Sequence, residues 1–423
     1  MATHTHSRAN RAGAAPLHAE SRAPTSEAAP ETFRSPTSAA PAYAIEYEDG
    51  GSDHYGHGVP EFAIAVRARP EFDRLLALDD YSLAMAFVRG DFAVEGDLVA
   101  AVRFFRARSR SPITGSLAAA IGRIGFAQVG SWFRTKKRAA ENIRFHYDQS
   151  NDFYRNFLDS RMVYSCAYFE GPGDSLDSAQ LRKLDHICRK LDLQPGDAFL
   201  DVGSGWGGLI IHAAERYGAN SAGCTLSRKQ FDLAREKIRA LGLGESVRVE
   251  LRDYRDVQGA FDKIASVGMF EHVGRRRSNE YFRKLFLLLR PGGLLLNHAI
   301  MRPAGARDTV ETVFIRHKVF PGGELPYLSD VIRSAERSGF EVLDVENLRP
   351  HYALTCRAWV KRLQQNGAEC LGHVDRSRFR TWLLLFAASA ARFEDGLLNV
   401  NQVLLYKPGN DRARPFTREY MYR

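Results

Sequence analysis

Nowhere in these 423 residues does an apolar run approach the roughly 18 residues that a bilayer-spanning helix needs. The longest apolar stretch, Trp382 to Phe393, is interrupted by Ser389 and Arg392 and reads as a buried helix. Cysteine is scarce, and its five occurrences (Cys166, Cys188, Cys224, Cys356 and Cys370) never fall in CxxC spacing. Neither a disulfide framework nor a zinc site is therefore indicated, and a reducing cytoplasm is the expected setting. No internal repeat is present. Residues Met1 to Tyr43, rich in Ala, Pro, Ser, Thr and His, contain no apolar core of the kind a secretory signal requires, so a disordered tail is expected there.

What remains is the composition of a globular protein, 44% hydrophobic and 26% charged. The length exceeds what one core usually organises, which predicts a small α+β domain over 44–125, a larger catalytic domain over 126–410 and a tail over 411–423. A net charge of +9 favours an acidic partner, and nucleic acid or an anionic membrane would each satisfy it. Much of the charge lies in one segment, where Arg103, Arg106, Arg108 and Arg110 precede the apolar patch Leu117 to Val129 and then Arg134, Lys136, Lys137 and Arg138. This pattern fits a solvated linker and helix, and equally a membrane-facing surface.

From Ala198 onward short apolar runs alternate with amphipathic ones, as in a doubly wound parallel sheet covered by helices. The expected strands are Ala198–Val202, Ser221–Thr225, Val247–Arg252, Lys263–Val267, Leu294–Ile300, Glu341–Val345 and Gln402–Tyr406. The expected helices are Gly207–Tyr217, Ser227–Leu241, Asn279–Leu289 and Ser329–Ser338, the last with Ser329 as N-cap and Gly339 as its stop. Further helical material is expected between Thr355 and Gly396.

The first of these strands runs into Gly203-Ser204-Gly205-Trp206-Gly207-Gly208, a GxGxxG turn whose glycines permit a tight bend and close approach of a nucleotide. By itself the motif also describes structural turns and other nucleotide folds. The second strand ends in Cys224-Thr-Leu-Ser227 instead of the ribose-binding carboxylate of a dinucleotide fold, which argues against NAD. Asp253, after the third strand, is placed either to meet an adenine edge or to cap a helix.

Six stretches in order, Phe145–Tyr154, Val163–Phe169, Phe199–Gly208, Ser266–Gly274, Asn297–Ile300 and Arg349–Tyr352, are similar to motifs of one family. The chain resembles the cyclopropane-fatty-acyl-phospholipid synthases and mycolic acid cyclopropane synthases over about Asn142 to Tyr406. The resemblance implies a seven-stranded S-adenosylmethionine-dependent methyltransferase fold with helical insertions and a small N-terminal α+β domain. It implies an S-adenosylmethionine pocket of Tyr164, Ser165, Asp201, Gly203, Gly205, Trp206, Thr225, Gln230, Asp253 and Tyr254. It also implies a bicarbonate ion beside the transferred methyl, held by the Cys166 backbone, Glu271, His298, the Ile300 backbone and Tyr352. Taken singly, Cys166 reads as a small buried hydrophobe and His298 as an interior histidine.

The implied reaction adds a methylene to the cis double bond of an unsaturated phospholipid acyl chain at the inner membrane face, with peripheral attachment, no nucleic acid and a homodimer as the compatible assembly. Two departures stand out. Ser204 occupies the middle of a turn usually written Gly-Cys-Gly, and Ser389 replaces a cysteine often found on the C-terminal helix, so a branched rather than cyclised product stays open. An intact Glu271 and His298 are expected to favour the ring.

Overall fold

The computed structural model describes residues 41–108, 150–171, 173–306, 324–409 and 416–422. Its larger sheet contains β5 (Ala198–Val202), β6 (Asn220–Thr225), β7 (Val247–Leu251), β8 (Phe261–Val267), β9 (Leu289–Met301), β10 (Glu341–Asn347) and β11 (Asn399–Tyr406). Their order is β10-β11-β9-β8-β5-β6-β7, with β11 antiparallel to both neighbours and every other pair parallel. This is the doubly wound sheet that the alternation of runs predicts.

Helices α5 (Leu176–Lys190), α6 (Gly208–Tyr217), α7 (Arg228–Ala240), α8 (Ser278–Leu288) and α9 (Leu328–Arg337) accompany it. Period-two side-chain direction divides each central strand between two cores. Phe199, Leu294, Leu296 and Leu404 pack with Leu184 and Ile187 of α5 and with Ile210 of α6. Their neighbours Leu200, Leu295, Val403 and Leu405 pack with Tyr281, Phe282 and Leu285 of α8. Helix boundaries follow local chemistry: Ser227 caps α7 by accepting the Gln230 N–H. The Ser329 expectation fails, because α9 begins one residue earlier and Tyr327 precedes it without a side-chain cap. Gly339, at φ +100°, follows its end as expected.

The N-terminal residues form a second sheet, β1 (Tyr43–Tyr47), β2 (Ser52–Tyr55), β3 (Phe62–Val66) and β4 (Ala93–Gly96), ordered β2-β1-β3-β4. Helices α1 (Arg69–Leu76), α2 (Asp80–Arg89) and α3 (Leu98–Arg108) accompany this sheet. Its core is continuous with that of α4 (Asn151–Arg155), α10 (Arg349–Gln365), α11 (Gly367–Leu371) and α12 (Arg376–Glu394). Arg357 of α10 ties the two together, donating to Asp97 at 2.9 Å and to Glu394. Arg103 and Arg106, assigned from sequence to the basic segment, are ion-paired with Glu394 and Asp395. Those two charges are therefore committed within the fold, and the segment from 109 to 149 lies outside the described residues. No helix among the described residues is long and apolar enough to cross a membrane.

At the centre of this shared core an aromatic block joins α4, α10 and α12. Phe157 lies 5.5 Å from Phe153, 5.8 Å from Trp382 and 5.4 Å from Phe386 between ring centroids, and is fully buried. Truncation there removes the shared contact of three helices and leaves a cavity. Phe157→Ala should lower unfolding stability by about 3–5 kcal/mol, as buried Phe truncations do. Denaturant titration checks this, and a loss below about 1 kcal/mol would show that the block can collapse around the void.

Candidate functional site

The carboxyl ends of parallel strands are where open α/β sheets hold ligands, and one cavity opens there beside β5, β6 and β8. The turn after β5 is drawn toward β6 because the Gly203 and Ser204 N–H groups both donate to the Cys224 carbonyl, at 3.0 and 2.9 Å. Gly205 sits at φ +53°, and a Cβ there would meet no protein atom within 4 Å. Gly208 has a different reason to be glycine: a Cβ would lie 3.0 Å from Val163.

All ten residues expected to hold the nucleotide line this one cavity. Trp206 is oriented by donating its indole N–H to Asn151 at 2.8 Å. Thr225 donates to Gln230 at 2.7 Å, so the end of β6 and the first turn of α7 present one surface. Asp253 caps the single turn that follows β7, accepting the Arg255 N–H while its carboxylate pairs with the Arg255 guanidinium, and it also lines the cavity. Asp201 is buried with Oδ1 unpartnered, and burial pushes its carboxyl up to about 7 against the pull of Lys183.

Of the residues expected around the transferred methyl, Glu271, His298 and Ile300 lie on or beside β8 and β9, Cys166 on the non-regular segment Val163–Phe169 and Tyr352 on α10. Glu271 lies on a single helical turn after β8, and its Oε1 accepts the Ile300 N–H at 2.7 Å. The Ile300 N–H, expected to face an ion, is thus already engaged. Glu271 Oε2 is buried and has no hydrogen-bond partner, and desolvation pushes the carboxyl up to about 7. His298 stands two residues before Ile300 on β9, hence on the same face of the strand. Its Nδ1 lies 3.3 Å from the Gln402 amide nitrogen while Nε2 is buried without a partner. In that orientation of the amide, Nδ1 accepts and the ring proton sits on Nε2. Burial lowers the imidazole to about 3, so the ring is neutral.

Cys166 is fully buried, its thiol directed to the Ala167 and Leu348 carbonyls, and burial raises its pKa far above the ordinary thiol value. Tyr352 is half-buried and stacks on Phe393 at 4.7 Å. Ser389 is half-buried on α12, three residues after Phe386 and four before Phe393, on the helix face those rings share. The structure joins Glu271 to Ile300 directly and Cys166 to the residue preceding α10, the helix that carries Tyr352.

Sequence reading missed the polar residues that hold the Val163–Phe169 segment. Gln180 donates to the Val163 and Ser165 carbonyls, Lys183 donates to Ser165 Oγ at 2.9 Å, Thr355 accepts the Ala167 N–H and His351 accepts the Phe169 N–H. The signal existed: in α5, Gln180 and Lys183 occupy the same helical stripe as Leu176, Ala179, Leu184 and Ile187, where a solvated polar side chain does not belong.

Comparison with known proteins places these features in context. Residues 134–403 match the family described as mycolic acid cyclopropane synthetase. A probable fatty acid methyltransferase of Pseudomonas putida is 42% identical over 374 residues, covering 86% of this chain and 92% of that protein. The tuberculostearic acid methyltransferase UfaA1 of Mycobacterium tuberculosis is 40% identical and is matched over 65% of this chain and 67% of its own. The solved structure of mycolic acid cyclopropane synthase CmaA1 complexed with SAH and CTAB is 35% identical, with a TM-score of 0.61, and covers 63% of this chain and 98% of its own.

The raised carboxyl of Glu271 carries a sign for stability. A folded pKa of about 7 against an ordinary 4.5 means that the folded state loses stability as pH rises from about 4.5 to about 7, where the charge must form in a dry site. Glu271→Gln removes that cost. Relative to the native protein, the variant should gain stability across this interval and hold a constant difference above it. Parallel thermal melts from pH 4.5 to 8 would read this, and a difference that does not change with pH would place the carboxylate in contact with water.

Proposed function

Because the chain belongs to the mycolic acid cyclopropane synthetase family of S-adenosylmethionine-dependent methyltransferases, we propose that it converts a cis double bond of an unsaturated phospholipid acyl chain into a cyclopropane ring. The observation that carries the chemistry, methyl transfer followed by proton loss, is that Glu271 Oε2 and His298 Nε2 are buried without partners next to cavity-lining residues, Glu271 preceding His272 and His298 lying across from Val267; the ring as product follows the family match over residues 134–403.

S-adenosylmethionine supplies an electrophilic methyl: its S–CH3 bond breaks toward sulfur as the alkene π pair forms the new C–C bond, leaving a cation on the neighbouring carbon. This chain must then keep water away and receive one proton from the new methyl, whose C–H pair closes the ring. Tyr164, Trp359, Trp382 and Phe386 supply apolar ring surface against the cavity wall. A bicarbonate ion would supply a small base, and the orphaned Glu271 and His298 atoms, with the Cys166 backbone and Tyr352, are the groups that would hold it. A neutral Glu271 carboxyl and a His298 Nε2–H are both donors, which suits an anion in a dry site. The net charge of +9 suits an acidic membrane surface as the source of the acyl chain.

A second reading, a methyl or methylene branch, is favoured by the relatives named as fatty acid methyltransferases, which are 42% and 40% identical where the cyclopropane mycolic acid synthases are 35%. Contrary to the expectation from sequence, Glu271 and His298 do not choose between the two. Proton loss before a 1,2-hydride shift closes the ring, and proton loss after it leaves a methylene, so the same base serves both.

Incubation with unsaturated phospholipid vesicles and S-adenosylmethionine, with the product read by NMR, should give ring-proton signals. Vinylidene or methyl-branch signals alone would select the second reading. Glu271→Leu, which keeps neither the donor nor the acceptor of a neutral carboxyl, should bind S-adenosylhomocysteine yet turn over about a hundredfold or more slowly. Near-native turnover would remove Glu271 from the base site. Gly205→Val, which puts a β-branched residue at φ +53° and a side chain into the open space beside the turn, should lose S-adenosylhomocysteine binding by calorimetry in protein whose folding is verified by circular dichroism. Unchanged affinity would displace the nucleotide from that turn.

A further inference from the structure

The nucleotide cavity is lined by a buried lysine, Lys183, and a buried aspartate, Asp201, and the lysine donates to a serine hydroxyl. Lys183 reaches the cavity from α5, and its Nζ donates to Ser165 Oγ at 2.9 Å. Asp201 reaches it from the end of β5, with Oδ1 unpartnered. An ammonium has only donors. Ser165 Oγ must therefore accept from Lys183, and its own hydrogen is turned elsewhere. Ser165 also lines the cavity, and its carbonyl is held from the other side by Gln180 at 2.8 Å.

Two buried groups of opposite charge facing one cavity match a zwitterion. The unpartnered Asp201 oxygen suits an α-ammonium, and the Ser165 hydroxyl, backed by a positive charge, suits an α-carboxylate. We propose that Lys183 is a positioning residue that fixes the direction of the Ser165 hydroxyl so that the site selects the carboxylate of the amino-acid end of S-adenosylmethionine. The inference rests on the S-adenosylmethionine reading above and adds to it a residue that acts through Ser165.

Burial costs the lysine affinity for its proton: desolvation pushes it down to about 8 while the carboxylates of Asp159 and Asp201 and the thiols of Cys166 and Cys188 oppose that shift. The groups facing it are thus Asp159 and Cys166 from the chain leading into and through the Val163–Phe169 segment, Asp201 from β5 and Cys188 from its own helix. Below about pH 8 the ammonium is charged and the serine hydrogen is directed. Above it, a neutral amine can itself accept that hydrogen, and the carboxylate loses its donor.

The test is equilibrium binding of two ligands to the full chain: S-adenosylhomocysteine and its decarboxylated analogue S-adenosyl-3-thiopropylamine, which keeps the amine and lacks only the carboxylate. Native protein should prefer S-adenosylhomocysteine by about tenfold or more, as expected for a charge-assisted hydrogen bond in a dry site. Lys183→Met should bring the two affinities together by weakening only the carboxylate-bearing ligand. Ser165→Ala, which leaves the buried lysine in place and keeps the question answerable should Lys183→Met not fold, should do the same. In the Ser165→Ala background Lys183→Met should add little, since both act on one contact. The native preference should also fall as pH rises through about 8. A preference retained in folded Lys183→Met, or an equal loss for both ligands, would overturn the inference while leaving the cofactor reading intact. Native protein that binds neither ligand would overturn both.

Discussion

The Val163–Phe169 segment crosses the interior without belonging to a helix or a sheet, so each of its buried backbone groups needs a partner from elsewhere in the fold. Asp159 receives the Val163 N–H, Thr355 the Ala167 N–H, the Ala179 carbonyl the Tyr168 N–H and His351 the Phe169 N–H, while Gln180 donates to two of its carbonyls. These partners come from α5, α10 and the turn before the segment itself. Meeting that requirement is what locks α5 and α10 at fixed distances from the nucleotide turn. The side chains along the segment inherit their positions from it: Tyr164 and Ser165 toward the cavity, Cys166 into the core.

Around this segment the protein buries ionisable groups that water would otherwise solvate. Lys183, Asp201, Glu271 and His298 are all nearly or fully buried, and in each desolvation is the largest influence, moving every one of them toward its neutral form. Such groups are costly in a fold that does nothing with them. Their partial hydrogen bonding, one oxygen of Glu271 satisfied and one not, is what a site awaiting a polar ligand looks like, and the surrounding aromatic rings keep the dielectric low.

The N-terminal sheet contributes to the same core. Ile45, Phe62 and Phe104 are continuous with Trp359 and Phe386; Arg103 and Arg106 close on Glu394 and Asp395 at the end of α12, and Arg357 joins Glu394 to Asp97 at the start of α3. The helix carrying Ser389 is thereby held at one end by the N-terminal residues, in addition to its packing against α10.

The linear pattern determined what local periodicity and turn chemistry can determine. The seven strands near their observed positions and the glycine turn were legible because a buried parallel strand is a run of apolar residues and a tight turn needs glycine at particular places, whereas the ten residues that line one cavity were named through the resemblance of motifs to a known family. Helix α5 was overlooked as part of the site: Gln180 and Lys183 stand on its apolar stripe, but the non-regular segment whose backbone and serine they satisfy is laid across them only by the fold. Likewise Arg103 and Arg106 read as a basic surface, and only folding placed Glu394 and Asp395, nearly 300 residues away, within reach. Ser329 follows the capping rule, yet α9 begins at Leu328, directly after Tyr327, which bridges to Arg302. Periodicity and motif spacing report on neighbours in sequence; the pairing of buried polar groups is decided by neighbours in space, and that pairing is what only the tertiary structure supplied.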